Sequence, residues 1–241
     1  NNAAVFAPSL YVIDLPYLFR TNQEGWTILD KYWDELNAKT IKESGNRIIG
    51  WLDLGYRHVC NSKRPIRTIE DLKGLKIRVP NNPVMINTFR AWGCEPTPLA
   101  WDETFNALQQ KVVDGQDNPL VSIATNRFYE VQKYFTEVNY QFHPDPFYVN
   151  AAWWNGLPEE YRDIITECAT KMGEYNDELI DKNSSAAKQT IVDSGCEVYE
   201  PSADELKAFQ TAVQSVYDQC VTEGICTADE IKEMQDIVAK A

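Results

Sequence analysis

Helical and strand patterns alternate along the chain. Apolar residues recur every three or four positions across residues 23–40, with Trp26, Leu29, Trp33 and Leu36 on one face, which predicts an amphipathic helix. A short apolar run at residues 12–16, closed by Pro16, predicts a strand before it. Two further strands are expected at residues 47–52, entered through Gly45, and at residues 56–60. Residues 75–79 read as a strand ended by Pro80, and residues 95–99, with two prolines, as an edge strand. Helices are expected at 83–92, stopped by Gly93, and at 102–111. Residues 112–115 then lead into a turn at 116–119, where Asn118 precedes Pro119.

The longest helical pattern covers residues 158–192 and starts on Pro158, a good first-turn residue. Its length of about 35 residues far exceeds an average helix and suits an element that spans more than one structural unit. Gly195 ends it, a strand follows at 197–199, and helices at 202–223 and 227–240 close the chain. Thr68 with Asp71 and Thr227 with Glu230 have the spacing of capping boxes. The alternation of strands and helices predicts an α/β fold.

Composition narrows the function classes. The 241 residues include 36 acidic and 23 basic side chains, a net charge of −13. Such a surface repels nucleic-acid backbones and anionic lipid heads, so neither is expected as a partner. A small anion held by arginines in a cleft remains compatible with it. No apolar run is long enough for a membrane span, so no stable insertion is expected. The chain opens on Asn1-Asn2-Ala3, without a Met or a signal peptide. Six cysteines include no CxxC pair, and there are two histidines, so neither a metal nor a cofactor is expected. Cys220 and Cys226, with five residues between them, are the best local disulfide candidates, the alternative being buried thiols.

Candidate catalytic groups are sparse. His58 and His143 are the two histidines, and neither has a G-x-S-x-G serine nearby. There is no GxGxxG and no P-loop, so an α/β enzyme is the lesser reading. Arg57 and Arg78 stand in predicted strands, and ligands of open α/β sheets bind at strand ends. A guanidinium there offers a planar fork that matches a carboxylate, although a lone strand arginine also pairs with Asp or Glu or reaches solvent. Asn118 can donate to a carboxylate and accept from a hydroxyl, or simply shape a turn. Trp101 can wall a pocket or act as a hydrophobic staple. Residues 143–148, stiffened by two prolines, can link two units while presenting Asp145 to a ligand.

These residues stand inside a longer pattern. Residues 71–80, DLKGLKIRVP, resemble the signature of the solute-binding subunits of TRAP transporters (the DctP-like family of tripartite ATP-independent periplasmic transporters). Pro96-Thr97-Pro98, Glu103, Ala107-Leu108-Gln109, residues 113–119 (VDGQDNP), 128–134 (FYEVQKY) and 15–19 (LPYLF) are similar to further family segments, in the right order along nearly the whole chain. The resemblance implies a two-domain periplasmic binding protein with a cleft and a long bridging helix. Residues 1–55 with 144–183 would form the first domain, 56–143 with 184–215 the second, and 216–241 the C-terminal helices. Family members usually begin with a further βαβ portion that this chain lacks, so the first domain is expected to be partial. The resemblance makes Arg78 the carboxylate clamp and Arg57 a second ligand-facing arginine. It makes Asn118 the ligand asparagine and Trp101 the pocket aromatic, with Asn81 and Asp145 as further contacts; His58 is expected to add a polar contact beyond the carboxylate. It implies a monomeric, periplasmic, non-enzymatic protein that passes a small organic acid to TRAP permease subunits. Asp145 disfavours a second ligand carboxylate and Trp101 suits a sugar face, so a uronate or aldonate is expected. A dicarboxylate or aromatic acid, or a sensing role, are the alternatives.

Overall fold

A computed structural model describes residues 3–239. A 3-10 turn over Ala3–Val5 is followed by a 3-10 helix over Pro8–Asp14, where the sequence pattern predicted a strand. Pro8 opens it, and Leu10, Val12 and Ile13 are all buried; a short apolar run enclosed on all sides does not reveal its period. The amphipathic stretch that follows is two helices, α1 (Asn22–Lys31) and α2 (Trp33–Ser44), separated at Tyr32. Gly45 adopts φ 71°, caps α2 in the left-handed region and turns the chain into β1 (Asn46–Asn61).

β1 unites the two predicted strands. It pairs antiparallel with β5 (Tyr134–Asn150), and the register slips between Asp53 and Tyr56, where Gly55 has φ 85°. The intervening chain supplies β2 (Lys76–Val79), α3 (Pro83–Ala91), β3 (Glu95–Pro98), α4 (Trp101–Gln109), β4 (Gly115–Asn118) and α5 (Leu120–Thr125). Asn82 caps α3, its side chain accepting from the amides of Val84 and Met85. After β5 come α6 (Ala151–Gly156), the 35-residue α7 (Glu159–Asp193) and β6 (Glu197–Tyr199). The helices α8 (Ala203–Ala212), α9 (Gln214–Thr222) and α10 (Ala228–Val238) finish the chain. Here too one expected helix, 202–223, is two, broken at Val213. Lys240, the last residue of the other expected helix, lies outside the described residues. Both expected capping boxes are formed, at Thr68 and at Thr227.

The six strands form one mixed sheet in the order β3-β2-β4-β1-β5-β6. β3 sits at an edge, as its prolines require. Residues 116–118 are not a turn: they are the inner part of β4, hydrogen-bonded between β2 and β1, and Pro119 ends that strand and caps α5. The prolines at 144 and 146 likewise lie within β5, opposite Asp53 and Trp51. The largest core gathers Leu10, Ile28, Phe89, Trp92, Phe142 and Phe209. A second core holds Leu108, Ile123, Phe128 and Ile191, and a small third one Ile49, Trp154 and Ala169. α7 bridges the last two, through Ala169 near one end and Ala187 and Ile191 near the other.

Cys220 and Cys226 are free thiols, not a disulfide, and both are buried in the largest core. The turn between them is closed by backbone bonds from Ile225 and Cys226 to the Cys220 carbonyl, and the thiols pack as small apolar groups. Gly115 leaves no room for a side chain, since a Cβ there would stand 2.1 Å from the Cys60 carbonyl oxygen. Gly115→Ala must push β4 away from β1, and a loss of about 1–3 kcal/mol is expected from such overpacking. Urea denaturation of the variant checks it.

Candidate functional site

The strands β1, β2, β4 and β5 bring their polar side chains to one cavity of about 170 Å³. It is lined by Leu54, Arg57, Arg78, Pro80, Trp101, Asn118, Ser122, His143 and Asp145. Five of the seven residues singled out in the sequence therefore meet at one place: Arg57, Arg78, Trp101, Asn118 and Asp145.

Arg78 lies in β2, one residue before its end, and pairs in register with Gln116 of β4. Its Nε and Nη2 both donate to the Leu99 carbonyl, at 3.1 and 2.8 Å. Its guanidinium lies 5.7 Å from the ring centre of Trp101, close enough for a cation–π contact. No carboxylate among the described residues pairs with it. Burial pushes its pKa down to about 10, so it stays charged at neutral pH. A buried guanidinium held only by a carbonyl and an aromatic face is a site prepared for an anion.

Arg57 is different. Its Nε donates to Asp117 Oδ2 at 2.6 Å, Nη2 donates to the Asp117 carbonyl at 2.8 Å, and Nη1 meets His143 Nδ1 at 2.7 Å. Tyr140 donates its hydroxyl to the same Asp117 oxygen. Burial works against the Arg57 charge, but the Asp117 carboxylate beside it holds the pKa above its ordinary value. The cavity thus has two arginines of opposite kind, one neutralised by the fold and one left open.

Acceptor groups line the same cavity as the open arginine. Asn118, which lines the cavity, gives its amide N–H to Gln116 Oε1, and no hydrogen bond from a described residue uses its own side-chain carbonyl oxygen. Gln116 in turn donates to Cys60 Sγ at 3.0 Å. His143 Nε2 lies 3.3 Å from Asp145 Oδ1. Burial, aided by the Arg57 charge, holds the His143 pKa down to about 4. Burial opposes the Asp145 charge, but the bond from His143 brings that carboxyl to about 2. Both a neutral imidazole and a carboxylate are therefore present at neutral pH.

Two expected contacts lie elsewhere. Asn81 is exposed in an adjoining depression that shares Arg78, Pro80 and Trp101 with the cavity. His58 does not line the cavity; it is buried in β1, with the charge of Lys188 from α7 acting on it. Burial first, and then that charge and Arg57, push its pKa down to about 3. Below the ordinary histidine pKa the unfolded chain takes up a proton that the folded chain refuses, so stability falls as the pH drops from about 6.5. His58→Asn should flatten this acid limb by up to about 1.4 kcal/mol per pH unit; parallel urea titrations of both proteins at pH 6 and pH 4 check it. His143, Ser122, Leu54 and Pro80 are cavity residues that the sequence reading did not single out. The isolated His143-Pro144-Asp145-Pro146 run was the one available signal for His143.

The family model of bacterial extracellular solute-binding proteins, family 7 (DctP), matches residues 1–223. The chain belongs to this family. It is 30% identical over 239 residues to the 2,3-diketo-L-gulonate-binding periplasmic protein of Escherichia coli, covering 98% of this chain and 72% of that protein. Among solved structures, it is similar to a TRAP periplasmic solute-binding protein from Sulfitobacter with bound β-D-galacturonate, with TM-score 0.90 and 26% identity over 99% of this chain and 77% of that one. It is also similar to one from Chromohalobacter salexigens with bound D-glucuronate, with TM-score 0.90 and 29% identity over 97% and 77% of the two chains. The DctP family consists of solute-binding proteins, and the α/β fold with its long helix is that of its TRAP members. No helix among the described residues is long and apolar enough to cross a membrane.

Proposed function

We propose that this DctP-family protein captures a hydroxylated monocarboxylic acid, a uronate or aldonate, and passes it to the membrane subunits of a TRAP permease. One observation carries the reading: a single uncompensated guanidinium, Arg78, shares a cavity with two hydrogen-bond acceptors, Asp145 and the Asn118 carbonyl. Arg78 clamps the ligand carboxylate, Trp101 covers the ring face, and Asn118 and Asp145 accept from hydroxyls. Asn81 contributes from the adjoining depression. Arg57 shapes the site from within its own ion pair, and His58 acts on the fold alone. A dicarboxylate would set its second charge against Asp145 and is disfavoured. The galacturonate and glucuronate in the similar structures, and the sugar acid named for the Escherichia coli relative, support the same class.

The protein acts in the periplasm, as a monomer, and closes over its ligand. The cavity residues Leu54 and Arg57, and again His143 and Asp145, straddle the boundaries proposed between two lobes at 55/56 and 143/144. The slip in register at Gly55 gives β1 a place to flex there. Closure expels water and strengthens the Arg78–carboxylate pair. A thermal-shift panel of uronates, aldonates, dicarboxylates and aromatic acids tests the class. A ligand at a thousandfold excess over Kd adds about 4 kcal/mol of stability. The largest rise in Tm is expected for uronates or aldonates, and a rise confined to dicarboxylates or aromatic acids would contradict the assignment.

A further inference from the structure

His143 and its neighbours form a chain of polar groups that the carboxylate clamp alone does not explain. An arginine guanidinium only donates hydrogen bonds. The 2.7 Å contact from Arg57 Nη1 therefore makes His143 Nδ1 the acceptor and leaves the ring proton on Nε2. Nε2 itself lies 3.3 Å from Asp145 Oδ1. Arg57 cannot swing away from this duty, because Asp117 holds it at two further points and Asp117 is in turn fixed by Tyr140. The relay runs Asp117–Arg57–His143–Asp145, buried at its first three members and half-exposed at the last. No hydrogen bond from a described residue reaches Asp145 Oδ2, and Asp145 lines the cavity.

We propose that His143 is a positioning residue for ligand selection: locked by Arg57 as the Nε2–H tautomer, it orients Asp145 so that the free carboxylate oxygen accepts a hydrogen bond from a ligand hydroxyl. This rests on the reading of the cavity as a carboxylate site. It adds the element that separates a polyhydroxylated acid from a bare one of the same size. The Asp145 oxygen is an acceptor only, so a ligand group lacking a proton to give is rejected at that position.

The test has two parts. Ring 15N NMR of the wild-type protein reports the tautomer without any ligand, and with two histidines in the chain a His58→Asn variant completes the assignment. Nδ1 unprotonated and Nε2 protonated are expected, and the reverse overturns the proposal. Calorimetric titrations then compare D-glucuronate with cyclohexanecarboxylate, a ring acid without hydroxyls, on wild-type, Asp145→Ala, His143→Phe, His143→Gln and the Asp145→Ala/His143→Phe double variant. Asp145→Ala and His143→Phe should each lose about 10- to 100-fold more affinity for glucuronate than for cyclohexanecarboxylate, the range of one hydrogen bond to a charged group. His143→Gln, whose amide can still donate, should recover part of that difference. In the double variant the second change should add little. Equal losses for both acids, or fully additive ones, overturn the positioning role while leaving the carboxylate site standing. A folded wild-type protein that binds neither acid overturns the carboxylate reading itself, and this inference with it.

Discussion

Replacing Arg78 by alanine is expected to weaken uronate binding by about 2–5 kcal/mol, the cost of truncating one side of a buried, hydrogen-bonded charge pair. The effect should fall on binding and not on folding. In the free protein Arg78 has only the Leu99 carbonyl and the Trp101 face as partners, and burial already disfavours its charge. Removing it frees no buried carboxylate, so the melting temperature of the free variant should stay close to that of wild type. Arg78→Lys should recover part of the affinity, because a compact ammonium keeps the charge but cannot hold Leu99 and grip both carboxylate oxygens with one planar fork. Isothermal titration of the three proteins with D-glucuronate measures all of this. An affinity unchanged in Arg78→Ala would remove Arg78 from the site.

The opposite division is expected for Asp117. Asp117→Asn leaves the buried Arg57 charge without its counter-ion and should cost about 3–5 kcal/mol of stability. Arg57 is 3% exposed and Asp117 is fully buried, so water offers little relief. The Tyr140 hydroxyl loses its charged acceptor in the same step. Replacing both members of the pair, as Arg57→Met/Asp117→Leu, removes the stranded charge and should recover much of the loss. Urea denaturation of the single and double variants checks this. A single variant as stable as wild type would mean that the pair is not the buried lock the structure shows.

The contrast between these arginines explains how much of the molecule was legible in the sequence. The DLKGLKIRVP segment, the long helix ending at Gly195 and the capping boxes at Thr68 and Thr227 reported their structures directly, because each rests on local chemistry. The site strand β4 did not. Gln116, Asp117 and Asn118 are polar, precede a proline and read as a turn, yet all three are buried. Their burial is compensated by Cys60, by Arg57 and Tyr140, and by each other, and no local pattern encodes partners some 20 to 60 residues away. The same holds for the arginines, since Arg57 and Arg78 look alike in sequence. Only the tertiary position of Asp117 decides that one is neutralised within the fold and the other is left without a carboxylate partner. His58 and His143 show this for histidine: they lie on the neighbouring strands β1 and β5, yet the charge of Lys188 from α7 acts on one and the other lines the cavity.

The proposed function requires that Arg78 bind the ligand's carboxylate. The most direct measurement is a calorimetric titration of the wild-type protein with D-glucuronate and, in parallel, with its methyl ester, which keeps the ring and every hydroxyl but carries no charge. The acid should bind and the ester should be weaker by at least about tenfold, one charge-assisted hydrogen bond's worth. An ester that binds as tightly as the acid would mean that the ligand's carboxylate is not what Arg78 holds.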